Sequence, residues 1–87
     1  MRIIYTSKFE REYKKLSEQI KLLAEKKEKI FYKNPFDPKL KTHKLHGKFQ
    51  EFFSFSINYS YRITFIILIS RFKTYNTNKA ILSKISI

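Results

Sequence analysis

The side chains best suited to chemistry lie in two short segments of the chain. His43 and His46, the only two histidines, fall in the loop K-T-H-K-L-H-G-K at 41–48, and Arg62 lies in S-Y-R-I-T. Histidine exchanges protons near neutral pH, and arginine binds phosphate through a fork of N–H donors. The chain has no cysteine, and Asp37 and Glu51 are isolated in sequence, so we expect no metal site and no cofactor.

Charge is the strongest compositional signal. The 19 Lys and Arg against 7 Asp and Glu give a net charge of +12, and residues 52–87 contain no acidic group. Such an excess favours a polyanionic partner through counterion release, although a lysine-rich composition without a nucleic-acid role is the alternative. The longest apolar run, 65–69, is too short to cross a membrane, and 1–9 do not resemble a signal peptide. We therefore expect a cytoplasmic protein that does not bind membranes.

Capping residues and apolar spacing predict two helices. Ser7 and Glu10 form a capping box before the stripe Phe9, Tyr13 and Leu16, and Ser17 is a second candidate cap. We expect a helical hairpin over 7–16 and 18–33, ended by N-P-F-D-P, with one long bent helix as the alternative. The lysines opposite the apolar stripe are interpreted as solvent-exposed, with RNA contact as the alternative: Lys14, Lys15, Lys21, Lys26, Lys27 and Lys29.

Residues with alternating polarity predict a sheet that packs against the helices. Strands are expected at 2–6, 51–57, 60–68 and near 71–77, and 80–87 is either a helical turn or an edge strand. Phe53 and Phe55 alternate with serines, and Ile63 and Phe65 alternate with Arg62 and Thr64, so one face should be apolar. The predicted fold is α+β and spans 1–87 as one domain: an N-terminal strand, a two-helix hairpin, then a three- to four-stranded antiparallel sheet.

The segments N-P-F-D-P-K-L-K-T-H-K-L-H-G-K and F-S-F-S-I-N-Y-S-Y-R-I-T-F resemble the RelE/ParE superfamily of toxins from type II toxin–antitoxin systems, especially its YafQ-like mRNA interferase branch. The resemblance extends over residues 1–68 and implies a ribosome-dependent endoribonuclease that inhibits translation. It also implies three partners: mRNA, the ribosome and a cognate antitoxin. The basic surface favours an acidic, partly disordered antitoxin that folds on binding.

The resemblance also implies roles for individual residues. In such a nuclease the ribose 2′-OH attacks the neighbouring phosphodiester, which needs proton transfer and a positive charge on the phosphoryl oxygens. His43 matches the loop histidine of the family and is the expected general base, and Arg62 matches the strand arginine and is expected to hold the scissile phosphate. The positions expected to contact nucleic acid are Thr42, Lys44, His46, Lys48, Arg71 and Lys73. Tyr59 and Tyr61 either stack on bases or belong to the core.

The chain departs from the family pattern at three positions. Asn78 stands in the place of the C-terminal histidine, with Leu82 at the position of the following aromatic residue, and Ser56 replaces a second strand histidine. Asn78 is expected at the catalytic site with His43 and Arg62, where an asparagine can hydrogen-bond a phosphate but cannot exchange a proton near neutral pH. Two further hypotheses therefore stay open: a ParE-like toxin that binds a protein such as gyrase, and a catalytically degenerate toxin retained for antitoxin binding.

Overall fold

The computed structural model describes residues 2–46, 52–68 and 79–87. In these ranges the chain forms β1 (Arg2–Tyr5), α1 (Ser7–Lys14), α2 (Glu18–Lys33), a 3-10 turn (Pro38–Leu40), β2 (His43–Lys44), β3 (Phe53–Ser56), β4 (Arg62–Leu68) and β5 (Lys79–Ser86). The predicted order of strand, helical hairpin and antiparallel strands is confirmed. The strand predicted near 71–77 lies outside the described residues.

Polar side chains define the start of both helices. Ser17 caps α2 as predicted, because its hydroxyl accepts from the backbone N–H of Ile20 at 3.4 Å. The cap of α1 is Thr6 rather than Ser7, since the Thr6 hydroxyl accepts from the N–H of Phe9 at 3.1 Å. The prediction was wrong by one residue because threonine and serine are adjacent and either can cap a helix.

The five strands form one mixed sheet in the order β1-β5-β4-β3-β2. β2, β3, β4 and β5 are joined by antiparallel pairs, and β1 pairs in parallel with β5. A parallel pair requires a crossover connection, which the intervening helices and strands provide.

The C-terminal segment differs from its prediction. β5 is neither a helical turn nor an edge strand but lies between β1 and β4, and its Ala80 and Leu82 are fully buried. A bulge opposite Thr64 and Phe65 leaves Ser83 outside the pairing with β4, which shifts the alternation by one residue. Because of that shift, buried and partly exposed residues do not alternate regularly along β5, and the sequence does not show the two-residue period of a strand.

Both helices cover the same face of the sheet. Phe31 of α2 packs against Phe55 and Phe65, with ring centroids 4.7 Å away in each case. Phe9 of α1 and Leu82 of β5 belong to the same buried cluster. The apolar faces of the helices and of the sheet are therefore buried against each other, and neither described helix packs on the opposite face, here called the open face.

Candidate functional site

The strand register places the polar residues of the sheet on the open face. Residues directly opposite each other in antiparallel strands project to the same side. His43, Ser54, Thr64 and Lys84 are successive partners across four strands. Ser56, Arg62 and Ser86 form the next polar row. The open face therefore carries an imidazole, a guanidinium and an ammonium group among hydroxyls.

A hollow of about 390 Å³ lies on this half of the open face, here called the sheet hollow. Its lining includes Arg62 and Lys84 with Ser54 and Thr64. Ser54 and Thr64 are only 3% and 4% exposed, so they form a floor between the longer basic side chains. Cations around a hydroxyl-lined floor suit an anion such as a phosphodiester.

His43 is exposed and has a defined ring orientation. Its Nδ1 lies 3.3 Å from the carbonyl oxygen of Lys41, which can only accept a hydrogen bond. The neutral tautomer with its proton on Nδ1 donates to this carbonyl and keeps a lone pair on Nε2. This tautomer suits a general base that acts through Nε2.

The register sets the distance between His43 and Arg62. They are separated by two strand spacings across the sheet, roughly 10 Å, and by two residues along it, about 7 Å. Both belong to the open face, and no helix among the described residues covers either. The imidazole and the guanidinium therefore share one surface, and Arg62 lines the sheet hollow while His43 lies outside its lining.

The other residues predicted to bind nucleic acid are dispersed. The Thr42 hydroxyl donates to the carbonyl of Pro35, so Thr42 closes the loop. Lys44 is paired with Phe53 and projects to the side opposite His43, and His46 is exposed beyond β2. Lys48, Arg71, Lys73 and Asn78 lie outside the described residues.

Lys84 and Ser86 are the site residues that sequence reasoning missed. Both line the sheet hollow beside Arg62. Their signal was the alternation of Lys84 and Ser86 with Ile85 and Ile87, which is out of phase with the buried Ala80 and Leu82 because of the bulge at Ser83. The C-terminal strand therefore supplies a basic group that the family pattern did not identify.

The hollow on the opposite side of the molecule has different chemistry. Tyr5 donates a 3.0 Å hydrogen bond to Glu28 at the junction of β1 and α2. Burial, with Glu28 nearby, raises the pKa of Tyr5 to about 12, and burial also raises the pKa of Glu28. Glu10 and Glu25 line the adjoining hollow, so acidic groups gather away from the open face.

The described residues contain neither a cluster of metal ligands nor a helix that could span a membrane. In the part of the chain that the structure describes, no three His, Cys, Asp or Glu residues are grouped as metal ligands. Within those same ranges, no helix is both long and apolar enough to span a bilayer.

The arrangement of helices and strands matches solved structures of toxins. A YoeB/ParE toxin from Agrobacterium tumefaciens superposes with a TM-score of 0.80 over 100% of this chain and 98% of that chain, at 13% sequence identity. The chain has the RelE/ParE toxin fold. The resemblance found in the sequence is therefore confirmed at the level of the fold.

Two structures of Escherichia coli YafQ show the same similarity. The chain matches YafQ of strain BL21(DE3) with a TM-score of 0.72 and 12% identity, and YafQ in the DinJ–YafQ complex with a TM-score of 0.62 and 13% identity. Each match covers 99% of this chain and 92% of the other. No protein-family model matches the chain, and no curated protein sequence matches it.

Proposed function

We propose that this protein is the toxin of a type II toxin–antitoxin system and cleaves mRNA at the ribosome. The observation that carries the proposal is the register that places His43, Arg62 and Lys84 on the open face. The fold shared with the YoeB/ParE toxin supports it.

The proposed reaction is an internal transfer at a phosphodiester. Nε2 of His43 takes the proton of the 2′-OH, and the 2′-oxygen attacks the neighbouring phosphorus. The bond from phosphorus to the 5′-oxygen breaks, and Lys84 supplies the proton that the leaving oxygen needs. The products are a 2′,3′-cyclic phosphate and a free 5′-OH. The Arg62 guanidinium binds the phosphoryl oxygens, whose negative charge increases in the transition state.

The proposed partners follow from the fold and from charge. YafQ is known in a complex with DinJ, and we propose that this chain likewise binds a cognate antitoxin. With a net charge of +12, the chain should favour an acidic antitoxin, partly disordered until bound. A toxin that acts on ribosomes works in the cytoplasm.

Induced expression in bacteria tests this proposal. Incorporation of labelled amino acids should stop within minutes, while thymidine incorporation continues. The Arg62→Ala variant should permit growth, provided that its circular dichroism and melting temperature match those of the parent. Undiminished arrest by a folded Arg62→Ala variant would contradict the assigned site.

A second candidate is a non-nuclease toxin that binds a protein such as gyrase. It is favoured by one observation: Ser56, opposite Arg62, occupies a position where the nuclease pattern has a histidine. On this alternative thymidine incorporation stops first, and His43→Ala retains toxicity. The degenerate toxin, the third possibility, arrests neither process but still binds its antitoxin.

A further inference from the structure

A second basic hollow adjoins the sheet hollow. It has a volume of about 450 Å³ and is lined by Lys27, Lys39 and Lys41, here called the lysine hollow. Arg62 and Tyr59 line both hollows and therefore form the boundary between them. The basic surface thus continues from the open face around the end of the sheet toward α2.

Local structure holds the three lysines in this position. The Lys27 ammonium of α2 donates to the carbonyl of Lys39 at 3.1 Å and ties the helix to the 3-10 turn. Lys41 follows that turn with φ 53°, in the left-handed region, which redirects the chain toward β2. Since a non-glycine residue rarely adopts this conformation, the turn is a specified feature of the fold.

Among the described residues, none of those that line the lysine hollow is acidic. Within residues 2–46, 52–68 and 79–87, the ion pair that forms joins Lys21 to Glu18, and none of the three lysines takes part in one. Three ammonium groups without carboxylate partners produce a strong local positive potential. A polyanion is the ligand class that fits it.

The boundary between the hollows carries an exposed aromatic ring. Tyr59 is 86% exposed at the tip of the β3–β4 turn. The Asn58 side chain accepts hydrogen bonds from the N–H groups of Ser60 and Tyr61, both at 2.8 Å, and so fixes the turn. The ring is therefore presented on an ordered support without contributing to the core.

We propose that the lysine hollow binds the phosphates of a single RNA strand that flank the nucleotide held in the sheet hollow, while a base stacks on Tyr59. The inference rests on the proposed function and adds a path for the strand, from Lys84 past Arg62 and Tyr59 to the three lysines. Alternating cations and a stacking ring are how proteins bind single strands without reading sequence.

Binding of a short unstructured RNA labelled with a fluorophore tests the path. Each lost phosphate contact should reduce the slope of log K against log salt concentration by about 0.7. The triple variant Lys27→Gln, Lys39→Gln, Lys41→Asn should therefore lower the slope by about 2 and weaken binding at least tenfold. Tyr59→Leu should weaken binding with an unchanged slope, since stacking releases no counterions.

A charge-matched control is available on the other side of the molecule. Lys14 and Lys29 line the hollows beside the acidic residues, and Lys8 is exposed on α1. Replacing these three by Gln changes the net charge by the same amount as the triple variant. We expect the control to bind RNA nearly as well as the parent.

The outcomes separate this inference from the proposed function. Equal losses in the triple variant and the control would overturn the lysine hollow, because net charge alone would then explain binding. Normal RNA binding by the triple variant, with a loss of affinity for poly-glutamate, would also overturn it and assign the hollow to an acidic protein. If the parent arrests translation but shows no RNA affinity, the path fails and the proposed function stands. If Arg62→Ala leaves the arrest intact while the triple variant loses RNA binding, the path through the lysine hollow stands and the site assigned to the proposed function fails.

Discussion

At the scale of single residues, the chain has only two histidines, His43 and His46, whose side chains exchange protons near neutral pH. The Nδ1 of His43 faces the Lys41 carbonyl at 3.3 Å, and the tautomer that donates this bond keeps a lone pair on Nε2. The sequence predicted roles for His43 and Arg62 because they match the loop histidine and the strand arginine of the family pattern and because their residue types suit proton transfer and phosphate binding. It missed Lys84 because lysines are frequent in this chain, and only the strand register distinguishes this one from the others.

Lys84→Gln should reduce cleavage at least a hundredfold, because it removes a positive charge and the proposed proton donor from the sheet hollow. Lys79→Gln is the matched control, since Lys79 lies at the other end of the same strand, opposite Leu68. Single-turnover cleavage of ribosome-bound mRNA measures both variants. Equal rates for the two would remove Lys84 from the mechanism.

Ser56→His should increase cleavage, since it restores an imidazole beside Arg62 where the family pattern has one. Proton transfer by a positioned side chain contributes about 10²- to 10⁴-fold, and even a tenfold gain is measurable. Ser56→Asn is the control, because it hydrogen-bonds without exchanging protons near neutral pH. The gain should follow the ionisation of an imidazole in a pH–rate profile.

At the scale of elements, the helices and β3 and β4 could be predicted because their apolar periods are regular. The position of β5 could not, since it depends on a bulge at Ser83 and on a parallel pairing with β1 across the length of the chain. Hydrogen bonds of Thr6 and Glu12 tie α1 and its cap to β5. The Thr6 hydroxyl donates to the carbonyl of Ser83 at 2.8 Å, and Glu12 accepts from the N–H of Ile85 at 3.1 Å.

Thr6→Val should destabilise the protein by about 1–2 kcal/mol, because it removes both the cap of α1 and the bond to β5. Ser17→Ala removes a cap at the exposed start of α2 and should cost less. Urea denaturation measures the two changes. An equal or larger loss in Ser17→Ala would show that the contact with β5 adds no stability.

Glu28 should make the stability depend on pH. Burial raises the pKa of Glu28 in the folded chain, so the folded state favours the protonated form. That contribution is complete below the unfolded pKa and is lost as the pH rises through the folded value. The melting temperature of Glu28→Gln relative to the parent should therefore increase from pH 4 toward pH 7. A difference that stays constant with pH would contradict the raised pKa.

At the scale of the whole molecule, the sheet hollow and the lysine hollow differ in their charged groups from the hollows beside β1, whose linings include glutamates. Arg62, Lys84 and the lysine hollow surround one end of the sheet, and Glu25 and Glu28 lie beside β1. Composition predicted the excess of positive charge, but which basic side chains line the same hollow depends on tertiary structure. The fold class was predictable because helix caps, strand alternation and proline turns agreed with one another.

Cleavage of a defined mRNA on purified ribosomes tests the central claim most directly. The parent protein should cut the message in the decoding site and leave a 2′,3′-cyclic phosphate, which primer extension and end-group analysis detect. His43→Ala and Arg62→Ala should each lower the rate by a hundredfold or more with unchanged melting temperature. An uncut message in the presence of the folded parent would contradict the account. Undiminished cutting by the double variant His43→Ala, Arg62→Ala would contradict it as well.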